Sequence, residues 1–121
     1  MACLAGLAVV GASGAESRTI KIGAIFAQTG PASFLGAPEA KTVQMLAEQL
    51  NAKGGVLGRR IEIIIKDSGG SPEKAVSFAK QLIDEERVLA IVGPSTSGET
   101  MQIKPLCEEN KMILVSCAAA E

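Results

Sequence analysis

Histidine is absent from the 121 residues. The commonest general base and the commonest metal ligand are therefore both missing. Tyrosine and tryptophan are absent too, and three phenylalanines make up the whole aromatic content, so there is no platform on which nucleobases could stack. The formal net charge is −1 with no basic block, which argues against nucleic acid or an anionic membrane surface as partners. Cysteine is sparse, with three residues at positions 3, 107 and 117. Cys107 falls inside a helical stretch and Cys117 at the far end of the strand after it. About ten residues at ~1.5 Å rise each would separate them by on the order of 15 Å, whereas a disulfide needs Cα atoms within about 7 Å. Two free, mostly buried thiols are expected, and no bridge, metal site or nucleophile.

Long apolar runs are also lacking, apart from the first fifteen residues, which carry no charge and are small or apolar. That run is too short to span a bilayer. Ser13-Gly14-Ala15 offers small residues at the −3 and −1 positions of a signal-peptidase site, with cleavage before Glu16. The positively charged start usual in such leaders is missing, which fits a start lying inside a longer leader. Residues 1–15 are thus expected to be an export signal that takes Cys3 with it, and 16–121 the folded part. Cys3 precedes Leu4-Ala5-Gly6 rather than following such a triplet, so it does not fit a lipid-attachment order.

What is present is an ordinary globular balance of 47% hydrophobic and 21% charged residues, laid out in alternation. Thr19–Ala27 is β-branched and then uniformly small and apolar, as a buried strand would be. Gln28–Leu35 reads as a loop with Phe34 and Leu35 exposed. A helix opening at Pro38 follows, with Ala40, Val43, Leu46, Ala47 and Leu50 on one face and Gly54 as its left-handed cap. Arg59–Lys66 is a second strand. Ser71 caps a second helix with Pro72 at its first position and Ala75, Phe78, Ala79, Leu82 and Ile83 inward. Val88–Val92 is a third strand, Met101–Lys111 a third helix that Pro105 should kink or shorten, and Met112–Ser116 a fourth strand. The βαβαβαβ order requires a parallel sheet with helices on both faces, an α/β fold. Ligands of such sheets bind outside the carboxyl ends of the strands. Asp67 is the one carboxylate in the second of the loops gathered there, and no acid, base or metal ligand is paired with it, so binding is expected rather than catalysis.

Between the third strand and the third helix lies Gly93-Pro94-Ser95-Thr96-Ser97-Gly98-Glu99-Thr100. A strand, a glycine- and hydroxyl-rich turn and a helix start together point backbone N–H groups and hydroxyl donors at an anion. The same residues also suit a plain helix cap on a tight turn. Gly93-x-x-x-x-Gly98-Glu99-Thr100 comes within one residue of the phosphate-binding loop pattern, but Glu99 stands where that pattern needs lysine. A ligand with one negative charge is expected here, and a nucleoside triphosphate is not.

The residues also carry a resemblance. Ile22-Gly23-Ala24, Thr29-Gly30-Pro31-Ala32 with Gly36, Asn51-Ala52-Lys53-Gly54-Gly55-Val56-Leu57-Gly58-Arg59, Lys66-Asp67 with Ser71-Pro72-Glu73-Lys74-Ala75, Ile91-Val92-Gly93-Pro94 and Ser116-Cys117-Ala118-Ala119 follow in order from about Thr19 to Glu121. Together they resemble the start of a periplasmic substrate-binding protein of the branched-chain amino acid type, with the type I periplasmic binding fold, which serves an ABC transporter permease. The resemblance implies a Rossmann-like lobe, no cofactor, and an amino acid or small carboxylate as ligand. It implies that Ser95, Thr96 and especially Ser97 hold the ligand carboxylate, that Ala118, Ala119 and Ala120 form the turn facing the amino group, and that Leu35, flanked by Phe34, lines the pocket. Ala120 lacks the hydroxyl usual at its position, so a carboxylate without an α-amine also fits. The resemblance covers only the first part of the first of two lobes, which implies a fragment of a longer product, with Val88–Val92 and Met112–Val115 leaving an unpaired edge and an uncovered face. Fold pattern alone leaves a doubly wound nucleotide-binding or enzyme domain, or a sensor domain, as alternatives.

Overall fold

A computed structural model of the chain describes residues 19–118. The leader over 1–15, Cys3, Ala119 and Ala120 lie outside the described residues. The elements are β1 (Thr19–Phe26), α1 (Ser33–Ala52), β2 (Arg60–Asp67), α2 (Pro72–Asp84), β3 (Ala90–Val92), α3 (Ser97–Glu109) and β4 (Ile113–Val115). The four strands form one parallel sheet in the order β2-β1-β3-β4. The expected α/β architecture is therefore present.

Alternation along the strands divides the core in two. Ile25 and Ile91 point to one face, where Ala75, Ala79 and Leu82 of α2 and Ile103 and Cys107 of α3 meet them. Ala24 and Phe26 point to the other, where Ala40 and Val43 of α1 cover them. Ile25 and Phe26 are both fully buried, and each such side chain contributes about 1.5–3 kcal/mol. Gly23 has no room for a side chain because Leu82 of α2 lies against it.

The second helix begins as its sequence requires. Ser71 is the N-cap, its hydroxyl accepts from the Lys74 N–H at 3.3 Å, and Pro72 is at the first position. The far end of α1 closes with Gly54 at φ +99°. There the Gly54 N–H donates to the Asn51 carbonyl and the Gly55 N–H to the Leu50 carbonyl, the paired bonds of a left-handed glycine cap.

Several boundaries differ from the reading of the sequence. Helix α1 starts at Ser33, so Phe34 and Leu35 belong to its first turn instead of a loop, and Pro38 lies within it rather than opening it. The signal was hidden because the N-cap is Ala32, with no side-chain hydrogen bond; the turn is held by Ser33 N–H to the Gly30 carbonyl at 3.1 Å. Of the predicted α1 stripe, Ala40 and Ala47 are buried while Leu46 and Leu50 remain substantially exposed. Helix α3 starts at Ser97 rather than Met101, and Pro105 sits inside it without ending it. Strand β3 is not an edge, since it pairs with β1 and β4; among the described residues the edges are β2 and β4, the latter with Ile113 57% and Val115 56% exposed. Cys107 is buried, as expected, but Cys117 is exposed, because the short β4 ends before it. Both are free thiols.

The topology also fixes where a ligand crevice must open. The chain leaves β1 toward β2 on one side and returns to β3 on the other, so strand order switches between β1 and β3. The loops after these two strands part at that point. They are the segment beginning at Ala27 and the turn beginning at Gly93.

Candidate functional site

The turn between β3 and α3 is built for close approach. Gly93 has φ +99°, and a side chain there would run into the Ile25 carbonyl oxygen. Its N–H donates to the Val115 carbonyl at 2.9 Å, and the Cys117 N–H donates to the Pro94 carbonyl at 3.3 Å, so the turn and the end of β4 are stitched together. Ala118 stands beside them, half-buried, with its N–H donated to Ser116 Oγ at 3.1 Å. The three consecutive hydroxyls then follow, and the structure gives each a different task.

Ser95 is buried, with 3% of its surface exposed. Its Oγ accepts from the Ala27 N–H at 3.0 Å and donates to Glu39 Oε2 at 2.5 Å. Thr96 is the N-cap of α3; its Oγ1 accepts from the Glu99 N–H at 3.4 Å and donates to Glu99 Oε2 at 2.6 Å. Both hydroxyl protons thus go to carboxylates of the protein. Ser97, half-buried in the first position of α3, differs. Among the described residues its hydroxyl has no partner, and neither do the N–H groups of Ser97 and Gly98. These are two of the helix-start donors that an α-helix leaves unsatisfied, at its positive end.

Two carboxylates frame this turn: Glu39, which sequence reasoning passed over, and Glu99, which it noted without its partners. Glu39 projects from α1 to Ser95. Glu99 is fully buried and receives the Ser68 hydroxyl on Oε1 and the Thr96 hydroxyl on Oε2. Thr96-x-x-Glu99 has the spacing of a capping box, which was the available signal. Here the glutamate bonds the cap's hydroxyl and a distant serine instead of the cap's backbone N–H. Ser68, also buried, ties the loop after β2 to the same point.

Asp67 closes a third side. It accepts from the Gln28 N–H at 2.9 Å, the Thr29 hydroxyl at 2.8 Å and the Gly69 N–H at 3.0 Å. Desolvation raises its pKa, but the Thr29 hydroxyl and the Gly69, Gln28 and Thr29 N–H groups outweigh that and hold the carboxyl below the ordinary aspartate value. It staples loops and has no free geometry for proton transfer. At Cys117, local desolvation and the Glu39 carboxylate push the thiol up against a lowering bond from the Gly93 backbone, so it ionises less readily than a free cysteine.

Phe34 and Leu35 stand on the first turn of α1, 74% and 39% exposed. The same helix approaches β1 so closely at Gly36 that a side chain there would strike the Ala27 backbone. A cavity of about 280 Å³ lies nearby, lined by Phe26, Pro38, Glu39, Val43 and Cys117. A larger hollow of about 830 Å³, bounded by Lys21, Arg59, Glu86 and Leu89, sits at the opposite, amino-terminal ends of the strands. That is the wrong end of a parallel sheet for a ligand. Among the described residues no group of three or more acidic or cysteine side chains could hold a metal, and no helix is long and apolar enough to cross a membrane.

Comparison with known proteins follows the same lines. The profile of the periplasmic binding protein family matches residues 19–121. A Leu/Ile/Val-binding protein of Rhizobium johnstonii is 31% identical over 100 residues, which are 83% of this chain and 27% of that protein. The Leu/Ile/Val-binding protein of Escherichia coli is 26% identical over 98% of this chain and 32% of its own length. Among solved structures, the branched-chain amino acid transporter substrate-binding protein LivJ of Streptococcus pneumoniae, in complex with isoleucine, superposes with a TM-score of 0.82 at 34% identity, covering 85% of this chain and 30% of that one. A solute-binding protein of an ABC transporter from Rhodopseudomonas palustris, in complex with 3,4-dihydroxybenzoic acid, gives 0.76 at 26% identity over 84% of this chain and 28% of that one. The chain thus spans about three tenths of the length of these relatives. With the profile, the relatives and the sheet topology in agreement, the chain belongs to the periplasmic binding protein family, in its type I fold and branched-chain amino acid branch.

Proposed function

We propose that this chain supplies the carboxylate-holding lobe of an extracytoplasmic solute-binding protein that passes its ligand to an ABC permease. The ligand is an aliphatic amino acid or a related small carboxylate. The observation that carries the reading is the contrast within the β3–α3 turn: Ser95 and Thr96 donate to Glu39 and Glu99, while among the described residues the Ser97 hydroxyl and the first N–H groups of α3 have no partners. One hydroxyl and two amides match the two oxygens of a carboxylate. Ser95 and Thr96 then serve by fixing the turn.

The turn after β4 completes the ligand's other end. Ala118 and the following Ala119 and Ala120 offer backbone carbonyls to an amino group but no hydroxyl, so the α-amine is a bonus and not a requirement. That tolerance accords with relatives whose structures hold isoleucine in one case and 3,4-dihydroxybenzoic acid in another. Phe34 and Leu35 present apolar surface toward the ligand's side chain. A second lobe closes over the crevice, and residues 1–15 act as a cleaved export signal. No step of this cycle needs an acid, a base or a cofactor; the family's members carry ligands rather than transform them.

Ser97→Ala tests the site. Removing one hydrogen bond to a charged group costs about 1.5–3 kcal/mol, so Kd for leucine, isoleucine or a short-chain monocarboxylate should rise roughly 10- to 150-fold by titration calorimetry, with the fold unchanged by circular dichroism. Unaltered affinity for every carboxylate would remove the turn from the site.

A further inference from the structure

The loops at the carboxyl ends of the strands carry acids and no bases; the neighbouring cation Lys66, at the end of β2, has its ammonium over the Phe78 ring at 5.8 Å. Segments 28–39, 67–73, 93–100 and 116–118 contain Glu39, Asp67, Glu73 and Glu99 but not one lysine or arginine. Among the described residues the ion pairs are Lys21 with Glu86 and Lys104 with Glu108, neither of which involves these four acids. The anion-holding groups are therefore neutral dipoles set among carboxylates, an arrangement able to hold one negative charge and hostile to a second.

Glu99 is the member of that set most intimately placed. It lies two residues beyond Ser97 in the same turn of α3. It is fully buried, so water does not screen it, and each of its oxygens accepts from a hydroxyl, Ser68 on one side and Thr96 on the other. Both side-chain oxygens thus serve as acceptors in the structure. Glu99 also occupies the position at which a phosphate-binding loop would place its lysine. Where that lysine draws in multiply charged anions, a buried carboxylate repels them.

We infer that Glu99 is a specificity-determining residue, which keeps the site for ligands with a single carboxylate and turns away dianions. The inference rests on the carboxylate site proposed above and adds the rule by which that site chooses. Glu99 also positions the turn, since its two hydroxyl bonds join the loop after β2 to the cap of α3. That positioning role serves every carboxylate alike. The charge acts unequally, because a dianion meets the repulsion twice.

The test compares ligands that differ only in the second carboxylate, pentanoate against glutarate and norvaline against glutamate, with the intact gene product and its Glu99→Gln variant. Glutamine keeps the shape and can still bond both hydroxyls, accepting from one and donating to the other. The wild type should bind pentanoate and norvaline more tightly than their partners. In the variant the preference should narrow about tenfold, as expected for removing a unit charge within a helical turn at a protein-like dielectric, whatever happens to the absolute affinities. If Glu99→Gln weakens both members of each pair by the same factor, Glu99 only positions the turn and the inference falls. If the wild type binds glutarate as well as pentanoate, it falls too. If the wild type binds none of the four, the inference fails together with the carboxylate site it rests on. Should Glu99→Gln fail to fold, Glu99→Met, similar in volume and uncharged, must show the same narrowing for the inference to stand.

Discussion

Among single side chains, the hydroxyls and carboxylates around the β3–α3 turn show how far a residue's neighbours decide its role. Ser95, Thr96 and Ser97 are chemically alike and adjacent, yet Ser95 and Thr96 donate to carboxylates while the Ser97 hydroxyl has no partner among the described residues. That distinction was not legible in the sequence, because Glu39 lies 56 positions from Ser95 along the chain and Ser68 lies 31 from Glu99. Asp67 shows the same limit: its loop was recognisable, but not its task of holding Gln28 and Thr29, 39 and 38 positions away. Its lowered pKa fixes the sign of a pH effect. A carboxyl that ionises more readily when folded adds stability above the ordinary aspartate value of about 3.9, and that contribution fades as pH falls below it through the folded value. Asp67→Asn should accordingly be less stable than wild type at pH 7 in urea titrations, with the gap closing below about pH 4. Asp67 is only half-buried and its bonds to Thr29 are exposed, so the gap should be small, under about 1 kcal/mol.

Secondary-structure elements were legible wherever their signals were local. Ser71-Pro72-Glu73 announced the start of α2, Gly54 the end of α1, and β-branched runs the long strands β1 and β2. The start of α1 was not legible, because its cap is an alanine and Pro38 suggested a later beginning. The short strands β3 and β4 were legible as apolar runs, although the structure trims each to three residues. Gly36 marks the spot where α1 presses on the end of β1. Gly36→Ala should force the helix away from the Ala27 backbone, a cost of about 1–3 kcal/mol for overpacking. Because α1 carries Glu39, the same shift should loosen Ser95. Thermal melting should detect the first effect, and a weakened affinity of the intact gene product for monocarboxylates the second.

For the molecule as a whole, alternation of strand and helix was enough to require a parallel sheet, and the crevice between β1 and β3 follows from strand order. The sequence pointed to an uncovered face, and the structure shows how unevenly the two faces are covered. Helices α2 and α3 share one face, whereas α1 alone serves the other, over β1 and β2. Ile113 and Val115 of β4 are left more than half exposed, on a strand whose outer edge is unpaired. Such a surface links stability to mass action, because whatever covers it in the folded state alone raises the apparent free energy of unfolding with the logarithm of its concentration. If another copy of the chain provides that cover, its melting temperature should climb with protein concentration, and Ile113→Lys should flatten that climb. A melting temperature independent of concentration would show the bare face to be inert. If the climb is seen, this lobe has no single intrinsic stability: the number measured for it is a property of the solution as much as of the chain.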